Sequence, residues 1–502
     1  MPNEWTFPDA QRDDLPTDPH PETLPSPGLM RVSPRTTDDA VVVVPGIMGT
    51  ELIDSTSGKK LWGLEPSLLA RMWLAPTKAL APLAVGLAAT TVKPGRLLRV
   101  PTFAPFLAGA EPYTELVERL HGIVRHPSAV LEFGYDWRLS VRHNARLLAE
   151  AIDSHLTWWR ARSDRPEARV HIVAHSMGGL LCHELATLSG ATDDVSTVIT
   201  LGTPFAGAAK STVLLNSGHG TALPTRRLQQ IAITMPGVYD LLPTYRCLHE
   251  SDSVRRLTSA DIADIGGRDD LAQAALDRHA ARAPIAIPRH RPLIGVEQPT
   301  ISSVSITSGK VDGLYHTFRV DEDGGLMRQH NGTLKQFDGL GDGTVPRNSA
   351  VPLWNPDIHP LPQQHGPVAK TDEAIAFVID TLMHRESDLG PRLGHGDLGI
   401  LPPDIVSVGV EFDVPLSGAH TPSDVRAVVT NIGTREGRRA DTHRRDGTLM
   451  ASATVYEPGL YRVAVASRGN SAVSQIIMAI EDESIHKRTG KRTVAWHSPT
   501  AV

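Results

Sequence analysis

Val41–Val44 is an unbroken run of β-branched residues closed by Pro45 and Gly46, the pattern of a strand buried on both faces that stops at a turn. Ala129–Phe133, Val170–Ala174 and Val195–Leu201 repeat it, and the intervening stretches 112–124 and 141–162 have room for helices. Strands alternating with helices predict a mostly parallel α/β sheet. After Leu382 the pattern changes. His384–Asp404 is rich in Gly, Pro, Asp and His, and beyond it Val406, Val408, Val410, Phe412 and Val414 occupy every second position, as do Val425, Ala427 and Val429. Glu457-Pro458-Gly459 then precedes the run Leu460–Ala466. Period-2 segments separated by turns predict a small C-terminal β-sandwich.

The organisation expected from this pattern is a flexible arm over 1–38, an α/β domain over 39–385, a linker over 386–403, a sandwich over 404–482 and a tail over 483–502. A flexible linker would let the sandwich fold alone and be dispensable for short soluble esters. No internal repeat of 20 to 50 residues is visible.

Composition narrows the classes. The 502 residues are 40% hydrophobic and 21% charged, enough apolar mass for packed cores. A net charge of −6 leaves no global basic field, so no nucleic-acid partner is expected. Two cysteines, Cys182 and Cys247, cannot staple a small secreted scaffold. The start has neither a basic nor an apolar leader region, so a cytoplasmic protein is expected. The apolar stretch Met72–Val92 is interrupted by Pro76, Lys78, Pro82 and Gly86, which defeats a spanning helix but leaves room for transient contact with a membrane surface.

The most informative segment is His171-Ile172-Val173-Ala174-His175-Ser176-Met177-Gly178-Gly179-Leu180. It reads strand, sharp turn, helix, with small residues two before and two after the serine, as a nucleophile elbow requires. The turn would aim the Met177 N–H at the site and set the helix N-terminus beneath it, where developing negative charge is favoured. Val44-Pro45-Gly46-Ile47-Met48-Gly49-Thr50 is a Gly-rich turn after an early strand, the place that supplies a second oxyanion donor in such sites. Further on, Gly341-Asp342-Gly343-Thr344-Val345-Pro346 sets a carboxylate between glycines, and His365 follows 23 residues later, just before the amphipathic run Thr371–Leu382. Ser, Asp, His is the chain order of an α/β-hydrolase triad. A neutral serine needs an imidazole to take its proton, and the imidazole needs a carboxylate to fix its tautomer; neither metal nor cofactor is required. His359 competes with His365 and Asp338 with Asp342, both behind their rivals.

These segments together resemble the lecithin:cholesterol acyltransferase-like family of lipases and acyltransferases. The resemblance runs through Pro45-Gly46-Ile47-Met48-Gly49 with Glu51-Leu52, Tyr135-Asp136-Trp137-Arg138, the elbow, Leu201-Gly202-Thr203-Pro204-Phe205-Ala206-Gly207, Pro236–Pro243 and Gly341–Val345. It implies an α/β-hydrolase fold with cap or lid insertions and an acyl-enzyme on Ser176 completed by Asp342 and His365. Met48 and Met177 would donate backbone N–H groups. It also implies two mobile apolar covers, at about 61–100 with Trp62 and Trp73, and at about 210–235 with Leu214 and Leu215. The cysteine pair that staples the first cover in the animal enzymes is missing, and Ala174 replaces the first elbow glycine.

Other features have plainer readings. Asp136 with Arg138 reads as a structural ion pair, Asp321–Gly325 as a hairpin turn rather than a calcium loop, and Cys182 as core. The 22 histidines lack the spacing of a zinc site. The expected function is a serine hydrolase or acyltransferase acting on carboxylic esters of lipids. The alternatives are an esterase for a soluble ester, or a scaffold whose sandwich binds a protein partner.

Overall fold

The computed structural model describes residues 36–63, 68, 71–72, 75–86, 91–98, 113–218, 225–321, 325–355, 357–384, 398–432, 434–467 and 472–481. Trp73, nearly all of the expected arm, the first part of the expected linker and the tail lie outside them.

The centre is a six-stranded parallel sheet of β1 (Ala40–Val44), β2 (Val130–Glu132), β3 (Val170–His175), β4 (Val195–Leu201), β5 (His290–Gly295) and β6 (His359–Leu361), in the order β6-β5-β4-β3-β1-β2. Every residue of β1 and β3 is buried, because both faces of a parallel sheet are covered by helices. Five helices matter for the site: α1 (Val141–Ser163), α2 (Met177–Leu185), α3 (Ala209–Ser217), α4 (Thr225–Ala232) and α5 (Asp372–Leu382). α1 starts where the Ser140 side chain accepts from the His143 N–H, and ends at Asp164 with φ +55°. Its buried face, Val141, Ala145, Leu148, Ile152, Leu156 and Trp159, follows the three-and-four spacing of an amphipathic helix. α5 is capped by Thr371, whose side chain accepts from the Ala374 N–H. This is the α/β-hydrolase architecture expected from the alternating pattern, and the loops at the carboxyl ends of its strands are where such sheets place ligands.

The C-terminal region is a sandwich of two sheets. One is β7 (Gly399–Ile400), β9 (Glu411–Ser417), β13 (Thr448–Thr454) and β12 (Asp441–Arg445); the other is β8 (Ile405–Ser407), β15 (Val473–Ile480), β14 (Gly459–Ser467), β10 (Val425–Asn431) and β11 (Gly437–Arg439). The alternation from Val406 to Val414 is therefore two strands, one in each sheet. The chain crosses between them at Gly409, φ +77°, and Val410 at the crossing is exposed.

Nor does the sandwich hang free of the α/β domain. It has its own core around Ala427, Val429, Ala451, Val463 and Ile477, but Leu460, Ile476 and Met478 belong to the continuous core of the α/β domain. Residues 322–324 of the expected turn lie outside the described residues; on either side of them Val320 pairs with Leu326, and the Asp321 N–H donates to the Gly325 carbonyl at 2.9 Å. Among the described residues no helix is long and apolar enough to cross a membrane.

Candidate functional site

Ser176 stands between β3 and α2 with φ +53° and ψ −124°, a conformation that a β-carbon normally resists and that its surroundings must impose. Its N–H donates to the Leu201 carbonyl at the end of β4, 2.9 Å away. The glycine two residues on is obligatory, since a β-carbon at Gly178 would lie 2.6 Å from the Pro45 and Val44 carbonyl oxygens. Met177 is the first residue of α2, so its N–H has no intrahelical acceptor and points outward from the positive end of the helix. Gly46 lies against the serine: a β-carbon there would sit 2.9 Å from Ser176 Cβ. Two residues further on, Met48 takes φ +65°.

Asp342 and His365 converge on Ser176. His365 Nδ1–H donates to Asp342 Oδ2 at 2.6 Å, which leaves Nε2 to accept from the Ser176 hydroxyl at 2.8 Å. All three side chains are buried. The second carboxylate oxygen of Asp342 accepts from the Thr344 and Val345 N–H groups, at 3.0 and 2.6 Å, so it cannot turn away from the ring. The His365 N–H also donates to the Asp342 carbonyl at 2.7 Å. Such a chain can accept a proton from Ser176 and hold the resulting imidazolium. The competing residues lie elsewhere: His359 is in β6 with its ring 4.4 Å from that of Phe377, and Asp338 is exposed on the strand Gln336–Asp338, paired with His316.

One part of the site escaped the sequence reading. His175 Nε2 lies 3.1 Å from the His365 carbonyl oxygen, which can only accept, so that nitrogen carries the proton and Nδ1 accepts from the Tyr113 hydroxyl at 2.9 Å. The Tyr113 oxygen accepts in turn from the Gly46 N–H at 2.9 Å. A continuous relay thus ties the Gly46 loop to the His365 loop. Burial, reinforced by nearby His365, pushes His175 down to about 3, so its ring stays neutral and keeps one donor and one acceptor. The histidine before the serine was the only local signal, because Tyr113 is 62 residues away.

The Tyr135–Arg138 segment underpins the same loop. The Tyr135 hydroxyl donates to the Pro45 carbonyl at 2.9 Å, and Trp137 Nε1–H to the Thr50 carbonyl at 3.1 Å. Asp136 and Arg138 form a buried two-pronged ion pair, at 2.9 and 2.7 Å, while Arg138 also reaches the carbonyls of Pro82 and Leu83. Trp62 is buried. Its Nε1–H donates to the Met48 carbonyl at 2.9 Å, and its ring meets Trp137 edge-on. Leu215 on α3 is fully buried and Leu214 partly so. Cys182 is core, with its thiol pushed up to about 12 by burial.

Residues 94–263 match the model of the family described as "Lecithin:cholesterol acyltransferase". The match meets the resemblance drawn from the motifs and takes in Tyr135–Arg138, Ser176 and Pro236–Pro243. It supports a hydrolase or acyltransferase of lipid esters. No curated protein matches the chain. Among solved structures, a chain of the Tle4-Tli4 complex is similar at 15% identity and a TM-score of 0.50, covering 70% of this chain and 99% of that one, which shows a shared fold. The Bacillus licheniformis lipase BlEst2 in propeptide form (12% identity, TM-score 0.30, covering 89% and 94%) and the phospholipase PlaB from Legionella pneumophila (11%, 0.27, 73% and 85%) were also found.

Proposed function

We propose, taking the family match over residues 94–263 as premise, that the chain is a serine hydrolase or acyltransferase that cleaves or transfers acyl groups of lipid carboxylic esters through an acyl-enzyme. The observation that carries this reading is the hydrogen-bonded series Ser176, His365, Asp342, at 2.8 and 2.6 Å.

Ser176 Oγ attacks the ester carbonyl carbon as its proton passes to His365 Nε2, and Asp342 stabilises the imidazolium. The tetrahedral oxyanion takes hydrogen bonds from the backbone N–H groups of Met48 and Met177, aided by the N-terminal end of α2. The intermediate collapses, the alkoxide leaves with the proton from His365, and the acyl group remains on Ser176 as an ester. Water or an alcohol, deprotonated by His365, then attacks that ester and returns the serine. Which of them wins depends on how well the closed site excludes water. Two free, buried cysteines fit the reducing, cytoplasmic setting read from the composition.

The test is labelling by a fluorophosphonate, followed by assays on phospholipids and short p-nitrophenyl esters with and without an alcohol acceptor. Labelling confined to Ser176 and a competing transfer product are expected. A protein that takes up no probe and turns over none of these esters ends the proposal.

A further inference from the structure

Three buried glutamines join the loops of Asp342 and His365 to the C-terminal sandwich. Gln363 and Gln364 immediately precede His365, and Gln298 follows β5. Gln364 Nε2–H donates to the Ile400 carbonyl in β7 at 2.9 Å and to Gln298 Oε1 at 3.1 Å. Gln298 Oε1 also accepts from the Ile400 N–H at 3.2 Å, and its Nε2–H donates to the Leu398 carbonyl at 3.0 Å. Gln363 Nε2–H donates to the Ala472 carbonyl at 3.1 Å, while its Oε1 accepts from the Ser474 N–H at 3.3 Å and the Gln364 N–H at 3.0 Å.

The same residues grip the carboxylate side. The Gln298 backbone exchanges both of its hydrogen bonds with Gly341, at 2.9 and 3.0 Å, one residue before Asp342. The Gln364 side chain lies over Gly343, where a β-carbon would come within 3.1 Å of its Cδ and where φ is +84°. Sandwich residues 398–400 and 472–474 therefore hydrogen-bond to side chains flanking both Asp342 and His365.

We propose that the sandwich is a working part of the active site and that Gln298 and Gln364 are positioning residues, which hold the His365 loop in register with Asp342 by bonding to β7. The inference rests on the reading of Ser176, Asp342 and His365 given above. Its physical basis is that a buried amide held by directed hydrogen bonds keeps one orientation, whereas one deprived of those partners must rotate or admit water. A displacement of about 1 Å at a reacting group costs on the order of a hundredfold in rate.

The experiment uses the full chain with Gln364→Met, Gln298→Leu and Gln363→Met, which keep approximate volume and remove the amide bonds. Val429→Ala, in the sandwich core away from the glutamines, is the control for lost stability. Melting temperature, kcat, KM, the pH profile of kcat/KM and the rate of fluorophosphonate labelling are measured. Expected are a fall of tenfold or more in kcat and in labelling rate for Gln364→Met and Gln298→Leu, with KM within about twofold. The acid limb should move to lower pH, because a less well placed Asp342 stabilises the imidazolium less. Val429→Ala should keep its kcat. If Gln364→Met does not fold, Gln298→Leu carries the same test. Folded glutamine variants with unchanged kcat and pH profile overturn the proposal, as does an equal loss in Val429→Ala at a matched drop in melting temperature. An unmodified protein without labelling or turnover would instead overturn the functional reading on which it rests.

Discussion

On the serine side of the site, Ser176 is held by residues next to it in sequence or one strand away: Leu201 at the end of β4, the carbonyls that close β1 around Gly178, and Gly46 against its β-carbon. On the histidine side, the loop of His365 takes its support from Asp342, from Gln298 and from a second domain, across 23, 66 and more than a hundred residues of chain. The first side is a tight turn imposed by residues immediately around it. The second exists only once distant parts of the molecule have met. Local patterning can therefore place a nucleophile, whereas the placement of its base depends on tertiary structure.

The largest effect removes the chemistry from both sides at once. Ser176→Ala and His365→Ala should each lower turnover on the order of 10³-fold or more with the fold intact, and Asp342→Asn should resemble them. If either alanine variant keeps near-normal ester hydrolysis, the two sides do not form one site.

Acid bears on the serine side. Burial holds His175 and His290 down to about 3 and His183 down to about 4, while in the unfolded chain each titrates near 6.5. The unfolded chain thus binds protons that the folded one refuses. The stabilisation is fully present above pH 6.5 and is lost as pH falls toward 3 to 4, at up to about 1.4 kcal/mol per pH unit per histidine. Protection against hydrogen exchange in 170–177, corrected for the intrinsic exchange rate, should therefore fall on acidification. A melting temperature independent of pH between 6.5 and 4.5 would refute this.

Smaller effects probe the serine side alone. Gly178→Ala should destabilise by about 1 to 3 kcal/mol, because its β-carbon meets two carbonyl oxygens of the rigid β1 turn. Tyr113→Phe leaves the His175 acceptor and the Gly46 donor without their partner and should cost about 1 kcal/mol or slightly more. It should also lower kcat by about tenfold, by loosening the link between the two loops. Thermal melts and steady-state kinetics check both, and a Tyr113→Phe protein equal to the parent in both would make the relay ornamental.

The same division explains what could be read from the residues. Val41–Val44 and Ala174–Gly178 announced a buried strand and an elbow because hydrophobicity and small size there are demanded by immediate neighbours. The flanking glycines of Asp342 separated it from Asp338 for a similar reason, since Gly343 needs a positive φ. Tyr113 gave no sign, because its partner is set by the fold alone. Period-2 alternation from Val406 to Val414 put Val406, Phe412 and Val414 rightly inside but missed the exposure of Val410 and the change of sheet, so the crossing at Gly409 was hidden in it. The seating of the sandwich was hidden too, for glutamine in a loop has no signature that distinguishes a solvated amide from a buried clamp.

The position of the clamp along the chain also sets an order of events during synthesis. Domains are made and fold from the N-terminus onward. The sheet can be complete once β6 has emerged, but the partners of Gln363 arrive 109 and 111 residues after it. For that interval a ribosome-bound chain holds a finished elbow beside a His365 loop that still lacks part of its support. On the positioning role proposed for the glutamines, the order of synthesis alone would then delay full activity until the sandwich has been made.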